Sequence, residues 1–113
     1  LIINEPYRLS TEWRAEARCA DADTEIFYPP RDKDLYNKIA ASAKEYCNGP
    51  KGNNPCPVRA HCLWEAVITE EQHGIWGGLS HRERNALVRK YQKEYRHKMS
   101  LNDFIFKERE RAV

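Results

Sequence analysis

The sequence predicts a small all-α single domain, about four short helices packed so that four cysteines converge. Three observations carry that prediction. Apolar residues recur at three- and four-residue spacing through most of the chain, the period of a helix with one buried face. Capping residues and Pro/Gly breakers cut that pattern into short pieces. Cys19, Cys47 and Cys56 fall at the ends of those pieces, and Cys62 falls inside one. A chain of 113 residues fits one domain able to bury roughly 60–68% of its unfolded surface.

Residues 1–10 form an N-terminal arm. "STEWRAEARC" then opens on Ser10 and Thr11, good N-cap types, and places Trp13 and Ala17 one turn apart, so a first short helix delivers Cys19. "DADTEIFYPP" reads as an extended or turning segment closed by Pro29 and Pro30. Asp32 or Asp34 opens a second helix, with Leu35, Ile39 and Ala43 repeating every four residues, and it ends at Cys47 because "NGPKGNNP" has the composition of a loop. The third helix begins after Cys56, with Pro57 in its first turn and Gly74 as its stop. Ser80 and Glu83 make an S-x-x-E capping box for the fourth, along which Leu87, Tyr91, Tyr95 and Met99 fall in one line. The end, "KERERAV", alternates charge and reads as a frayed helix or disorder. The organisation is therefore an arm at 1–10, a cysteine-bearing unit at 11–79, a basic helix at 80–99 and a charged tail at 100–113.

Charge is unevenly placed. The formal net charge is +2 and 32% of residues are charged. From Ser80 to Met99 there are seven Lys or Arg against two Glu, an attraction for phosphate independent of base sequence. Arg82, Arg84, Arg89, Lys90, Lys93, Arg96 and Lys98 are the candidate DNA contacts. They surround the helix rather than forming one stripe, and no "RGRP"-type minor-groove hook accompanies them, so DNA contact is expected to be auxiliary. No apolar run reaches the length of a membrane span. The N-terminus has no secretory pattern, which predicts a cytoplasmic protein.

In a reducing cytosol, four cysteines read as metal or cluster ligands before disulfides. Their intervals are 27, eight and five residues. A structural zinc site ordinarily uses two close C-x₂₋₄-C pairs, which this chain lacks. An iron–sulfur cubane accepts more widely separated thiolates, because its four irons present four corners. Four thiolates on four irons would leave no open position for a substrate, which argues for sensing, electron transfer or structure and against Lewis-acid catalysis; the chain is not expected to be an enzyme. A zinc-stabilised nucleic-acid-binding domain is the alternative, and a thiol–disulfide oxidoreductase ranks third because a C-x-x-C pair is missing. His61 and His73 read as surface or capping residues before they read as ligands.

"CPVRAHCL" from Cys56 to Leu63, "GIWGGLS" from Gly74 to Ser80, then Glu83-Arg84, resemble the WhiB-like transcription factors of actinobacteria and their phages. Trp13-Arg14 before Cys19, and Ile26-Phe27-Tyr28-Pro29 after it, match the same pattern. The resemblance implies an oxygen- and nitric-oxide-sensitive [4Fe-4S] cluster, one per chain, on Cys19, Cys47, Cys56 and Cys62. It also implies binding to region 4 of the primary sigma factor within RNA polymerase, as a monomer beside promoter DNA. Trp13, Phe27, Tyr28 and Trp76 are the implied partner-binding residues. One departure stands out: the family usually has C-x-x-C where this chain has eight residues between Cys47 and Cys56. Widening that span costs about 1 kcal/mol in loop closure. Thiolate–metal binding in small sites is worth roughly 10–16 kcal/mol, so the longer loop is expected to be tolerated.

Overall fold

The computed structural model describes residues 14, 16–20, 22, 24–49 and 55–110. Trp13, the arm at 1–10 and the start of the expected first helix lie outside the described residues. The described part of that segment is a run of tight turns rather than an α-helix. Ala17, Ala20 and Ala22 donate their N–H groups to the carbonyls of Arg14, Ala17 and Cys19, each three residues back. A 3-10 turn follows at Thr24–Phe27.

Helix α1 spans Lys33–Asn48, with Asp32 as N-cap accepting from the Leu35 N–H at 3.1 Å. Its inward face is Tyr36, Ala40, Ala43 and Cys47, packed with Phe27 and Ile75. The expected Leu35–Ile39–Ala43 stripe is therefore rotated, and Leu35 is 50% exposed. Strict four-residue spacing drifts about 40° per turn around an α-helix, so only one end of such a stripe can face the core. The 4-3-4 spacing of the buried set stays in register, and the small Ala40 and Ala43 let Phe27 approach.

Helix α2 spans Arg59–Ile68 and stops at Thr69, whose N–H returns to the Glu65 carbonyl at 3.1 Å. That is earlier than the expected stop at Gly74, which instead begins the following turn. Helix α3 spans His81–Lys90 with both bonds of the predicted capping box in place: Glu83 N–H to Ser80 Oγ at 3.3 Å, and Ser80 N–H to Glu83 Oε1 at 2.9 Å. It continues as a π-helical turn over Tyr91–Tyr95. This wider turn takes up the 40° drift, so Leu87, Tyr91, Tyr95 and Met99 all reach one core with Leu63 and Phe104.

The tail corrects the expectation of fraying or disorder over its described part. Helix α4 spans Leu101–Glu110, starting where Ser100 Oγ accepts from the Asp103 N–H at 3.1 Å. Phe104 and Ile105 are fully buried against Leu63 and Trp64. Leu101, Phe104 and Ile105 repeat at three and four residues, a helical signal masked by the charged stretch that follows. The four α-helices thus form two adjoining cores, one around α1 and one joining α2, α3 and α4, as the all-α prediction required. No described helix is long and apolar enough to cross a membrane.

Candidate metal centre

Each cysteine reaches the centre from a different element. Cys19 comes from the N-terminal turns, Cys47 from the last turn of α1, Cys56 from just before α2 and Cys62 from within it. All four are free thiols and all four line one cavity of about 480 Å³. Among the described residues no three His, Cys, Asp or Glu side chains close on a point that could hold one metal ion. The shared cavity offers four sulfur donors, the donor set that holds a thiolate-ligated cluster or a structural zinc ion.

The long Cys47–Cys56 interval is closed by the backbone. The Cys56 N–H donates to the Cys47 carbonyl at 2.9 Å, the bond that the fourth residue of a β-turn would make to the first. The two sulfur-bearing residues are neighbours despite eight intervening residues, of which 50–54 lie outside the described set.

The glycine-rich stretch between α2 and α3 covers one side of the cavity. Trp76 and Leu79 exchange both N–H···O bonds at 3.0 Å around Gly77 and Gly78, whose φ values are +60° and +83°. This is a two-residue turn of the kind that needs left-handed backbone at both central positions. Its geometry aims an amide hydrogen at sulfur. The Gly77 N–H donates to Cys62 Sγ at 3.3 Å.

Arg84 anchors that turn from below. It is 2% exposed, and its guanidinium donates to the carbonyls of Gly74 at 2.9 Å, Leu79 at 2.8 Å, Glu71 at 2.9 Å and His73 at 3.3 Å. This corrects its inclusion among the DNA contacts, since its charge faces backbone rather than solvent. The remaining cations of that set, Arg82, Arg89, Lys90, Lys93, Arg96 and Lys98, are all exposed. The Lys90 and Lys98 ammonium groups lie 6.0 and 5.6 Å from the Tyr95 ring centre.

The aromatic residues divide. Trp76 and Tyr28 line the cavity, with Tyr28 50% exposed and Trp76 half-buried beneath the Arg14 guanidinium. Phe27 also lines the cavity but is buried in the α1 core, so of the expected aromatic pair only Tyr28 is exposed to a partner. Tyr46, which the sequence reading did not single out, lines the cavity and is 39% exposed. Its signal was its place immediately before Cys47. His61 packs edge-on against Phe106 with ring centres 5.0 Å apart, consistent with a packing residue.

Burial pushes the Cys47 and Cys62 thiols up to about 12 and raises Cys19 as well, with neighbouring sulfurs adding to each. In the reduced, metal-free protein these groups are protonated, so ligation must release protons. The linkage has a definite sign. Above about 9, their ordinary value, the unfolded chain loses thiol protons that the folded chain keeps, and stability falls with rising pH. Reduced, metal-free protein is expected to lose stability from about pH 9 towards 12, and Cys47→Ser with Cys62→Ser to flatten that slope. Urea unfolding under reductant at several pH values measures it, and equal slopes in the two proteins would refute it.

Comparison with known proteins places this arrangement. The family model for the transcription factor WhiB matches residues 13–87. The chain is 39% identical over 79 residues to the transcriptional regulator WhiB1 of Mycobacterium tuberculosis, covering 70% of this chain and 87% of that one. It is 38% identical over 84 residues to WhiB2 of the same organism, covering 74% and 82%. With the transcriptional regulator WhiB of Streptomyces coelicolor the identity is 39% over 75 residues, covering 66% and 74%. The matched span runs from the N-terminal turns into α3 and so contains all four cysteines and the glycine turn: the chain belongs to the WhiB family of transcription factors.

Proposed function

We propose that this regulator carries a [4Fe-4S] cluster on Cys19, Cys47, Cys56 and Cys62 and docks, as a monomer in the bacterial cytoplasm, onto region 4 of the primary sigma factor in RNA polymerase. The observation that carries the reading is the single cavity shared by four thiols and the partly exposed rings of Trp76, Tyr28 and Tyr46. When bound, the cluster supplies a centre reactive to redox change and nitric oxide. The chain's own part is to fix the surface around it. Cys62 receives an amide hydrogen from the glycine turn, and that turn sets the direction of Trp76. Rigid aromatic side chains at the rim of such a site are strong anchors for a protein partner. The exposed cations of α3 and its π-helical turn add a non-specific attraction to promoter phosphates once polymerase brings DNA close.

Two measurements test this. Anaerobically purified protein is expected to be brown, with iron and inorganic sulfide in equal amounts; a colourless zinc protein would overturn the cluster assignment. Trp76→Ala is expected to retain the cluster and fold while losing about 30-fold in affinity for sigma region 4, the effect of a binding residue worth about 2 kcal/mol. Unchanged affinity would remove Trp76 from the interface.

A further inference from the structure

A second basic residue inside the protein faces the cysteines. Arg59 opens α2 and is 6% exposed, lining the same cavity as the four thiols. Its guanidinium donates Nη1–H to Asn48 Oδ1 at 2.8 Å, and both Nε–H and Nη2–H to the Arg109 carbonyl, the Nε bond being 3.0 Å. These acceptors are neutral oxygens. The Asn48 oxygen is a side-chain amide at the end of α1, whereas the Arg109 carbonyl lies in the last turn of α4, so α4 presents the negative end of its dipole to the cation. Arg109 in turn donates Nη1–H to the Gly77 carbonyl at 3.2 Å, and it is the Gly77 N–H that binds Cys62 Sγ.

A buried cation whose hydrogen bonds end on neutral atoms is costly unless a negative charge lies nearby. The groups placed to supply it are the sulfurs of Cys47 and Cys56, which line the same cavity as Arg59 and would carry negative charge once ligated. Three elements therefore hold one guanidinium where thiolate charge would collect. Arg59 has the wrong position for a nucleic-acid contact and no open face for a partner.

We infer that Arg59 is the fixed counter-charge of the thiolate-ligated centre, a positioning residue that raises its reduction potential, held in place by Asn48 and the end of α4. The inference rests on the cluster reading above. Adding one electron makes the centre more negative, and a fixed cation favours that state; net charge and hydrogen bonding around the sulfurs set such potentials. α4 then has a role at the centre as well as in the second core, because the Arg109 carbonyl holds the guanidinium in place.

The test is a spectroelectrochemical titration of the full chain, anaerobically, with the electrode as the source of the single electron. Iron and sulfide analysis of the native protein comes first, and their absence would overturn the cluster reading itself. In loaded protein, Arg59→Gln is expected to lower the reduced-to-oxidised ratio at a fixed applied potential at least tenfold, a midpoint shift of about 59 mV for one electron. Arg59→Lys keeps the charge and is expected to recover at least half of that shift. A loaded Arg59→Gln protein with the native midpoint overturns the inference alone, as does an Arg59→Lys protein displaced as far as Arg59→Gln. Should Arg59→Gln fail to load, Asn48→Ala is read in its place. Removing one of the guanidinium's anchors is expected to move the midpoint in the same direction, about threefold in the ratio, and an unmoved midpoint overturns the inference.

Discussion

Arg84→Ala is expected to destabilise the protein by about 3–5 kcal/mol, the combined cost of leaving several carbonyls without their donor. Four carbonyls, those of Glu71, His73, Gly74 and Leu79, face this one guanidinium. Alanine would leave them without that donor, and each unsatisfied buried group costs about 1–3 kcal/mol. The losses are not additive, because the loop can relax once its anchor is gone. Lysine keeps the charge but not the planar fork, so it can serve fewer acceptors and is expected to recover a minority of the loss. Arg82→Ala and Arg89→Ala, on the exposed face of the same helix, are expected to fall within about 0.5 kcal/mol of the native protein. Denaturant unfolding of the four variants side by side reads the difference. If Arg84→Ala matched the exposed variants, the anchoring role would be wrong and Arg84 would return to the set of phosphate contacts.

Arg84 also illustrates which parts of this molecule are legible in sequence. Local signals were sufficient wherever local bonds determine structure. Asp32 and the Ser80–Glu83 box mark helix starts because the bonds involved span three residues. The convergence of the four thiols is legible in their places at and within the short helices, and the motif resemblance then assigns all four to one centre. What the sequence reading missed is held by bonds between distant residues. Arg59 meets Arg109 across 50 positions and Arg109 meets Gly77 across 32. No spacing rule separates Arg84, buried beneath a turn, from Arg82 two residues earlier, in solvent. The phase error on α1 has a similar source. Leu35 is the more apolar candidate, yet the partners Phe27 and Ile75 arrive from other segments and select the face with alanines. For α4, the charged end obscured Phe104 and Ile105, whose burial depends on Leu63 and Trp64 being ready to receive them.

Gly77→Ala is expected to cost about 2–5 kcal/mol in the metal-free protein and to reduce the iron retained by the loaded one. Two separable effects add. At φ +60° an alanine pays a left-handed backbone penalty of about 1–2 kcal/mol. Its Cβ would also sit 2.6 Å from Leu63 Cβ and 2.8 Å from the Arg59 carbonyl oxygen. Both atoms belong to α2, one of them to its backbone, so neither can swing aside as a side-chain tip could; overpacking of that kind costs about 1–3 kcal/mol. The turn must move away from α2, and with it goes the Gly77 N–H that meets Cys62 Sγ at 3.3 Å. Gly78 provides the contrast within the same turn. Its φ is also positive, but a Cβ there would meet the side-chain amide of Asn48, at 2.5 Å from Oδ1. That group can rotate, so Gly78→Ala is expected to destabilise less, while releasing the Asn48 hold on Arg59. The expected order of stability is native, then Gly78→Ala, then Gly77→Ala, read by denaturant midpoint in reduced, metal-free protein. A Gly77→Ala chain as stable as the native one would mean that the turn does not press on α2, and the route from the glycine stretch to the Cys62 sulfur would have to be abandoned.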